Sequence, residues 1–307
     1  MQIENLNNSI GMKAKVFFLI LARSFIVPVA FILLSYQKGD NNELPFEDIP
    51  KLFPVAPGVI DEASGIADSY ANPGFLWVEL DSGNPPVLHL LKHDGRLGKS
   101  IFLKGVSNRD WEDIALSAGP EEGKKYLYVA ETGDNNQAYA QYAIYRLIEP
   151  GSTVDTVAHV DKISFRYPDG SHDAEAILVD GASKDIYIFT KRDNLSKVYK
   201  LSYAEYNAPG LHSATFVMDL PYKGVVSAAI SPAQDEIFIK TNSKVYYYTH
   251  KSSESIEHAL QQPYKILPYQ VEAQGEAICF SNTHAGYFTL SEKSLLPRAQ
   301  LNFYKRR

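Results

Sequence analysis

Short runs of aromatic and β-branched residues alternate with clusters of Gly, Pro, Asn and Asp along most of the chain, from residue 47 to residue 307. Runs bounded in this way are typical of strands, whereas the 3.6-residue period of helices is almost absent. Only residues 203–208 and 254–261 have the pattern of short helices. The pattern therefore predicts an all-β domain.

The strand pattern repeats about every fifty residues. Each repeat opens on a similar segment and continues with two or three further strand-like runs. The five opening segments are "EASGIA" (62–67), "DWEDIA" (110–115), "DAEAIL" (173–178), "VVSAAIS" (225–231) and "QGEAICF" (274–280). Four strands per repeat is the organisation of a β-propeller, so the chain predicts five blades. A sixth blade from the amino-terminal region and a β-sandwich are the alternatives.

The fifth repeat reaches the end of the sequence after its third strand-like run. The segment "IPKLFPVAP" at 49–57 belongs to no other repeat and is suited to supply the missing fourth strand. A blade shared by the two ends of the domain closes the ring and removes an exposed sheet edge.

The amino-terminal segment differs from the rest. Lys13 and Lys15 precede an apolar run that reaches Leu34. This is the pattern of a signal peptide or a signal-anchor helix, and it predicts export of the remainder to the periplasm or cell surface. We therefore divide the chain into a signal or anchor segment (1–36), a polar linker (37–46) and the propeller (47–307). A buried helix of the folded domain is the alternative for the first segment.

Composition and the absence of certain motifs exclude several classes of function. The net charge of −6 gives no electrostatic reason to expect nucleic acid as a partner. The lone cysteine, Cys279, excludes an internal disulfide, and the eight histidines lack zinc-ligand spacing. No nucleophile elbow and no phosphate-binding glycine loop occurs in the sequence. The membrane is expected as a partner through the amino-terminal segment only.

The opening strands of propeller blades line the central channel, so equivalent positions meet on the axis. Aligning the five segments brings together three carboxylates and two hydroxyls: Ser64, Glu112, Glu175, Ser227 and Glu276. In the fourth repeat, a slip of one residue would put Ala228 there instead. Like charges in such a ring need a counter-cation or protons, and an all-oxygen ring suits Ca²⁺. Alternatively, the glutamates hydrogen-bond the backbone of neighbouring blades and brace the ring without metal.

The loops that follow the second strands lie on the same face as this ring. The predicted catalytic residues are Asp81, Glu131 and Arg192, and the predicted substrate-binding residues are Lys191, Arg192, Lys240 and Asp134. Basic side chains suit phosphate oxygens, and Asp81 or Glu131 suits a general base. The alternative is that these are solvated turn residues, since "DSGNPP" and "ETGDNN" have turn chemistry.

The segments "WED", "AEAIL" and "EAICF" resemble those of calcium-dependent apyrases, nucleotidases built as five-bladed propellers. The resemblance implies an axial calcium ion held by serine and glutamate side chains, and basic residues at Arg192 and Lys240. The acidic-acidic-arginine signature of that family is replaced here by "LDSGNPP". The segments "DWEDIA", "YPDG" and "DAEAI" also resemble uncharacterised exported bacterial propellers and the phytase-like propellers grouped with them.

Two functions follow from these patterns. The first is an exported calcium-dependent hydrolase that acts on a small phosphoester or phosphoanhydride. The second is a non-catalytic propeller that binds a glycan, peptide or other cell-envelope ligand and uses the cation for structure only. The fold alone does not distinguish them, because propellers serve both purposes.

Overall fold

Twenty-two strands and two short helices make up the regular structure of residues 44–293 and 298–307, the parts of the chain that the computed structural model describes. The predicted signal or anchor segment, 1–36, and most of the predicted linker lie outside the described residues. None of the described helices is long and apolar enough to cross a membrane.

The strands follow one another through the chain with two helices between them. In chain order they are β1 (Lys51–Pro54), β2 (Ala63–Asp68), β3 (Phe75–Leu80), β4 (Val87–Lys92), β5 (Leu97–Leu103), β6 (Trp111–Ala118), β7 (Lys125–Glu131), β8 (Tyr142–Ile148), β9 (Thr156–Val157), β10 (Asp161–Arg166), β11 (Ala174–Val179), β12 (Ile186–Thr190), β13 (Lys197–Leu201), α1 (Tyr203–Tyr206), β14 (Leu211–Ser213), β15 (Thr215–Asp219), β16 (Val225–Ile230), β17 (Glu236–Thr241), β18 (Val245–Thr249), α2 (Ile256–Leu260), β19 (Lys265–Leu267), β20 (Gly275–Phe280), β21 (Gly286–Ser291) and β22 (Gln300–Lys305). Both helices lie where the sequence predicts short helices.

These strands form five sheets, which are the five blades of a β-propeller. The inner four strands run β2 to β5 in blade 1, and β6, β7, β8 and β10 in blade 2. Blade 3 contains β11, β12, β13 and β15, blade 4 contains β16 to β19, and blade 5 contains β20 to β22 with β1 outside. The predicted five-bladed propeller is confirmed, and so is its closure, because β1 pairs antiparallel with β22.

Two blades carry a fifth strand that the sequence pattern did not reveal. The short strand β9 comes from a loop of blade 2 and pairs parallel with β5 of blade 1. In the same way β14, from a loop of blade 3, pairs parallel with β10 of blade 2. Each added strand covers the outer edge of the preceding blade and ties two neighbouring blades together.

The core is divided among the blade interfaces. Five clusters of buried apolar side chains each contain residues of two adjacent blades. Every sheet is therefore packed on both faces, which explains why inner strands such as β11 and β20 are buried at every position. Phe46 belongs to the core between blades 4 and 5, with 1% of its surface exposed. The propeller thus begins before residue 47, inside the predicted linker.

Candidate functional site

The innermost strand of every blade contains a β-bulge near its amino-terminal end. The pairing register skips one residue between Trp111 and Asp113 in β6, and equivalent skips occur in the other four blades. A bulge leaves one residue unpaired and redirects its side chain. The skipped residues are Ser64, Glu112, Glu175, Val226 and Glu276.

Four of these five residues are the predicted axial ones, and blade 4 differs from the prediction. There the bulged residue is Val226, so Ser227 is one position further along the strand. Both predicted hydroxyl ligands are also engaged elsewhere. The Ser64 hydroxyl donates to the Glu112 carbonyl oxygen at 2.8 Å, and the Ser227 hydroxyl donates to Asp113 at 3.1 Å. Ser64, Glu112, Glu175 and Glu276 therefore occupy equivalent bulge positions, and Ser227 lies one residue beyond that position in its own blade.

Asp113, which sequence analysis did not single out, braces the blades. Its buried carboxylate accepts hydrogen bonds from the backbone amides of Ile177 in blade 3, at 3.0 Å, and Ala228 in blade 4, at 3.4 Å. The Ser227 hydroxyl extends this network by accepting from the Ile278 amide of blade 5, at 3.3 Å. The bracing role that we considered for Glu112 thus belongs to its neighbour.

The signal for this role was present in the sequence. The residues that follow the other bulges are small: Gly65, Ala176, Ser227 and Ala277. A single aspartate among small residues on the axis has room to reach several other blades.

Five carboxylates from blades 1, 2 and 3 form a cluster at the amino-terminal end of the innermost strands. One group consists of Asp81, Asp110 and Glu112, and the other of Glu112, Asp173 and Glu175; within each group the ligand oxygens lie within 4.8 Å of one another. In the pairs Asp110/Glu112 and Asp173/Glu175, an aspartate just before the strand is followed two residues later by the bulged glutamate. This D-x-E spacing in "DWEDIA" and "DAEAIL" was the available signal for Asp110 and Asp173.

Gly133, which follows the second strand of blade 2, makes room for the first group. A Cβ atom at this position would clash with Oε1 of Glu112 and with Cγ of Asp110. Both contacts are far shorter than van der Waals distances, so a larger residue would displace the two carboxylates.

Two members of the second group, Glu175 and Asp173, are paired with basic side chains. The Lys191 ammonium hydrogen-bonds Glu175 and lies 3.7 Å from Oε1 of Glu276. The Arg192 Nε lies 2.5 Å from Oδ2 of Asp173. By contrast, Asp81, Asp110 and Glu112 form no ion pair with any described residue.

Glu112 is the most isolated member of the first group. It is only 4% exposed, and within residues 44–293 and 298–307 no donor hydrogen-bonds its carboxylate. Burial, followed by the nearby charges of Glu175 and Asp81, raises the pKa of Glu112 well above its usual range. Burial and the charge of Asp81 raise the pKa of Asp110 to about 6. The group therefore carries negative charge at a high electrostatic cost.

Three of the predicted loop residues have structural tasks instead of facing a ligand. Buried Glu131 accepts from the amides of Arg109 and Asp110 at 2.8 and 2.9 Å, and so holds the segment before β6. Buried Asp134 accepts from the Tyr142 hydroxyl at 2.7 Å. The Lys240 ammonium is fully buried and donates to the Gly275 carbonyl oxygen, and burial lowers its pKa to about 8. These contacts argue against a general base at Glu131 and against substrate binding by Asp134 and Lys240.

Asp81, Lys191 and Arg192 are the predicted loop residues that are at least partly exposed. Asp81 is partly exposed, and the Arg192 side chain is 45% exposed, with its guanidinium also bonded to Asn135. At the opposite end of the channel, a cavity of about 190 Å³ is lined both by apolar residues such as Ile66 and Ile114 and by polar residues such as Asp68, Ser117 and Gln234. The cluster of carboxylates thus lies at the mouth where the innermost strands begin.

Two solved structures align with most of this chain, at low sequence identity. No protein-family model matches the chain, and the curated proteins contain no match to its sequence. A luciferin-regenerating enzyme aligns with 84% of this chain and 95% of its own, at 9% identity and a TM-score of 0.48. An auxiliary nutrient binding protein from Bacteroides thetaiotaomicron aligns with 85% of this chain and 73% of its own, also at 9% identity and a TM-score of 0.48. The assignment of the chain as a five-bladed β-propeller rests on its own five sheets.

Proposed function

We propose that the protein binds a divalent cation, Ca²⁺, between Asp81, Asp110 and Glu112. The observation that carries this proposal is a group of three carboxylates within 4.8 Å, with no basic partner among the described residues. Uncompensated carboxylates in a buried position are strongly unfavourable, and a divalent cation relieves that repulsion. Oxygen ligands of this kind are those of calcium. The resemblance of "WED" to a segment of calcium-dependent apyrases agrees with the proposal.

Calorimetric titration of calcium into the metal-free protein tests this site. We expect one ion per chain in the unaltered protein and no binding in Glu112→Gln. Gly133→Ala keeps every carboxylate but fills the space beside Glu112, so it should weaken binding at least tenfold. Asp94→Asn, which alters an exposed carboxylate paired with Arg96, is the matched control. Equal affinity in all four proteins would contradict the proposal.

Phosphoester or phosphoanhydride hydrolysis is the catalytic function that this site favours. A bound cation would supply Lewis-acid polarisation of a phosphoryl group. The chain's own contribution would come from Arg192, whose half-exposed guanidinium lies beside the cluster and is suited to phosphate oxygens. We expect calcium-dependent phosphate release from p-nitrophenyl phosphate or ATP that falls at least tenfold in Arg192→Gln. If no phosphate is released, the non-catalytic propeller that binds an envelope ligand is favoured instead.

We also propose that the protein is exported and held at the membrane by residues 12–34. The basic residues before this apolar run support that orientation. Protease added to spheroplasts should degrade the propeller, whereas a cytoplasmic control protein should survive. Protection of both proteins would contradict export.

A further inference from the structure

Lys191 is a basic residue at a position where other blades carry no positive charge. It directly follows β12, and its amide donates to the Asp173 carbonyl oxygen at 2.9 Å. The same backbone contact is made by Asp81 in blade 1, Gly133 in blade 2 and Glu292 in blade 5, at 3.0, 3.2 and 2.9 Å respectively. The residue at this position is therefore acidic or neutral in blades 1, 2 and 5 and cationic in blade 3.

The ammonium of Lys191 reaches the bulged glutamates on its own side of the channel. It hydrogen-bonds Glu175 and lies 3.7 Å from Glu276, and its side chain is only 21% exposed. Glu112, the third bulged glutamate, is outside this ion pair and is buried without a donor among the described residues. The three glutamates of the ring are thus unequal: two share an internal cation and one does not.

We infer that Lys191 is a built-in counter-cation that confines the bound metal ion to the Asp81, Asp110 and Glu112 side of the channel. This inference rests on the proposed cation site. It identifies Lys191 as the residue that limits where the ion binds and how tightly. A fixed positive charge repels a divalent ion from Glu175 and Glu276 and lowers the affinity of the neighbouring group for it. Removing the ammonium without removing its aliphatic stem therefore frees two further carboxylates for the metal.

The experiment compares calcium binding to the full chain and to three lysine variants by calorimetric titration, after removal of metal. Lys191→Met removes the charge and keeps a side chain of similar length, and Lys191→Arg keeps the charge. Lys197→Met is the matched control, because Lys197 lies in the same blade and pairs with Asp219 at 3.6 Å, away from the carboxylate cluster. We expect calcium affinity to rise about tenfold or more in Lys191→Met and to stay within about threefold in the other two variants.

The result also separates this inference from the proposed function. Unchanged or weaker binding in Lys191→Met would overturn the inference and leave calcium binding by the unaltered protein intact. Binding by Lys191→Met alone, or by neither protein, would overturn the proposed function and with it the inference that rests on it. If Lys191→Met is unfolded without metal, circular dichroism should show that calcium refolds it; failure of calcium to do so would also overturn the inference.

Discussion

Glu112 and Asp113 are neighbours in strand β6, but their carboxylates have different roles. Asp113 accepts hydrogen bonds from blades 3 and 4, whereas Glu112 receives none from the described residues and lies among other carboxylates. The bulge between Trp111 and Asp113 leaves Glu112 without a partner in the pairing register, whereas Asp113 pairs with Ala130. The sequence predicted that this strand carries the axial residues, but the two roles depend on a one-residue irregularity that hydrophobic periodicity does not reveal.

The two roles predict opposite effects on stability. Asp113→Ala leaves several buried donors unsatisfied, so the free energy of unfolding without metal should fall by about 3 kcal/mol or more. Glu112→Gln removes a charge that has no partner, so the same quantity should stay unchanged or rise. Denaturant titration of both variants in chelator measures the difference. A similar loss in the two variants would contradict the division of roles.

His89 gives the propeller a predictable sensitivity to acid. Its ring is buried in β4 and shares a 2.8 Å hydrogen bond with Ser100, and burial lowers its pKa to about 4. The unfolded chain has the higher pKa, about 6.5, and therefore binds the proton more tightly. Neutral His89 therefore contributes its full share to the free energy of unfolding above pH 6.5. This contribution is lost as the pH falls towards 4, and the free energy of unfolding decreases by about 3 kcal/mol in all.

The measurement is the free energy of unfolding from pH 7 to pH 4 for the unaltered protein and for His89→Gln. The difference in free energy of unfolding between the two proteins should become smaller in acid, because His89 titrates and the glutamine does not. A gap that is independent of pH would contradict the prediction.

At the level of elements, the alternation of strands and turns predicted most of the architecture. The five repeats correspond to the five blades, and 49–57 contains β1, the strand that completes blade 5. The added strands β9 and β14 were missed because each is only two or three residues long and pairs with a different blade. The one-residue register shift that puts Val226 at the bulge of blade 4 was missed for a related reason. Register depends on backbone pairing across the sheet, and the segment "VVSAAIS" has no side-chain pattern that determines it.

Ring closure predicts that residues before β1 contribute to stability. Phe46 packs edge-on against Tyr287 at 4.9 Å and against Phe238 at 5.6 Å, in the core between blades 4 and 5. Phe46→Ala should lower the free energy of unfolding by roughly 3 kcal/mol. Ile49→Ala, at a position that is 80% exposed, is the control and should have almost no effect. Equal stability of the two variants would contradict the early start of the domain.

At the level of the whole molecule, the chain concentrates carboxylates at the mouth of the channel where the innermost strands begin. The sequence predicted the acidic mouth, because the opening segments of the repeats carry the glutamates. It did not predict which carboxylates remain without a counter-charge. That outcome depends on Lys191 and Arg192, whose long side chains reach residues of other strands in a way that only the folded structure defines.

The position of a bound metal ion tests this account most directly. Crystals of the protein soaked with Tb³⁺, an anomalous scatterer that replaces calcium, would locate the ion without reference to activity. We predict one strong anomalous peak in contact with carboxylate oxygens of Asp81, Asp110 and Glu112. A peak between Glu175 and Glu276, or no peak at the channel mouth, would contradict the account.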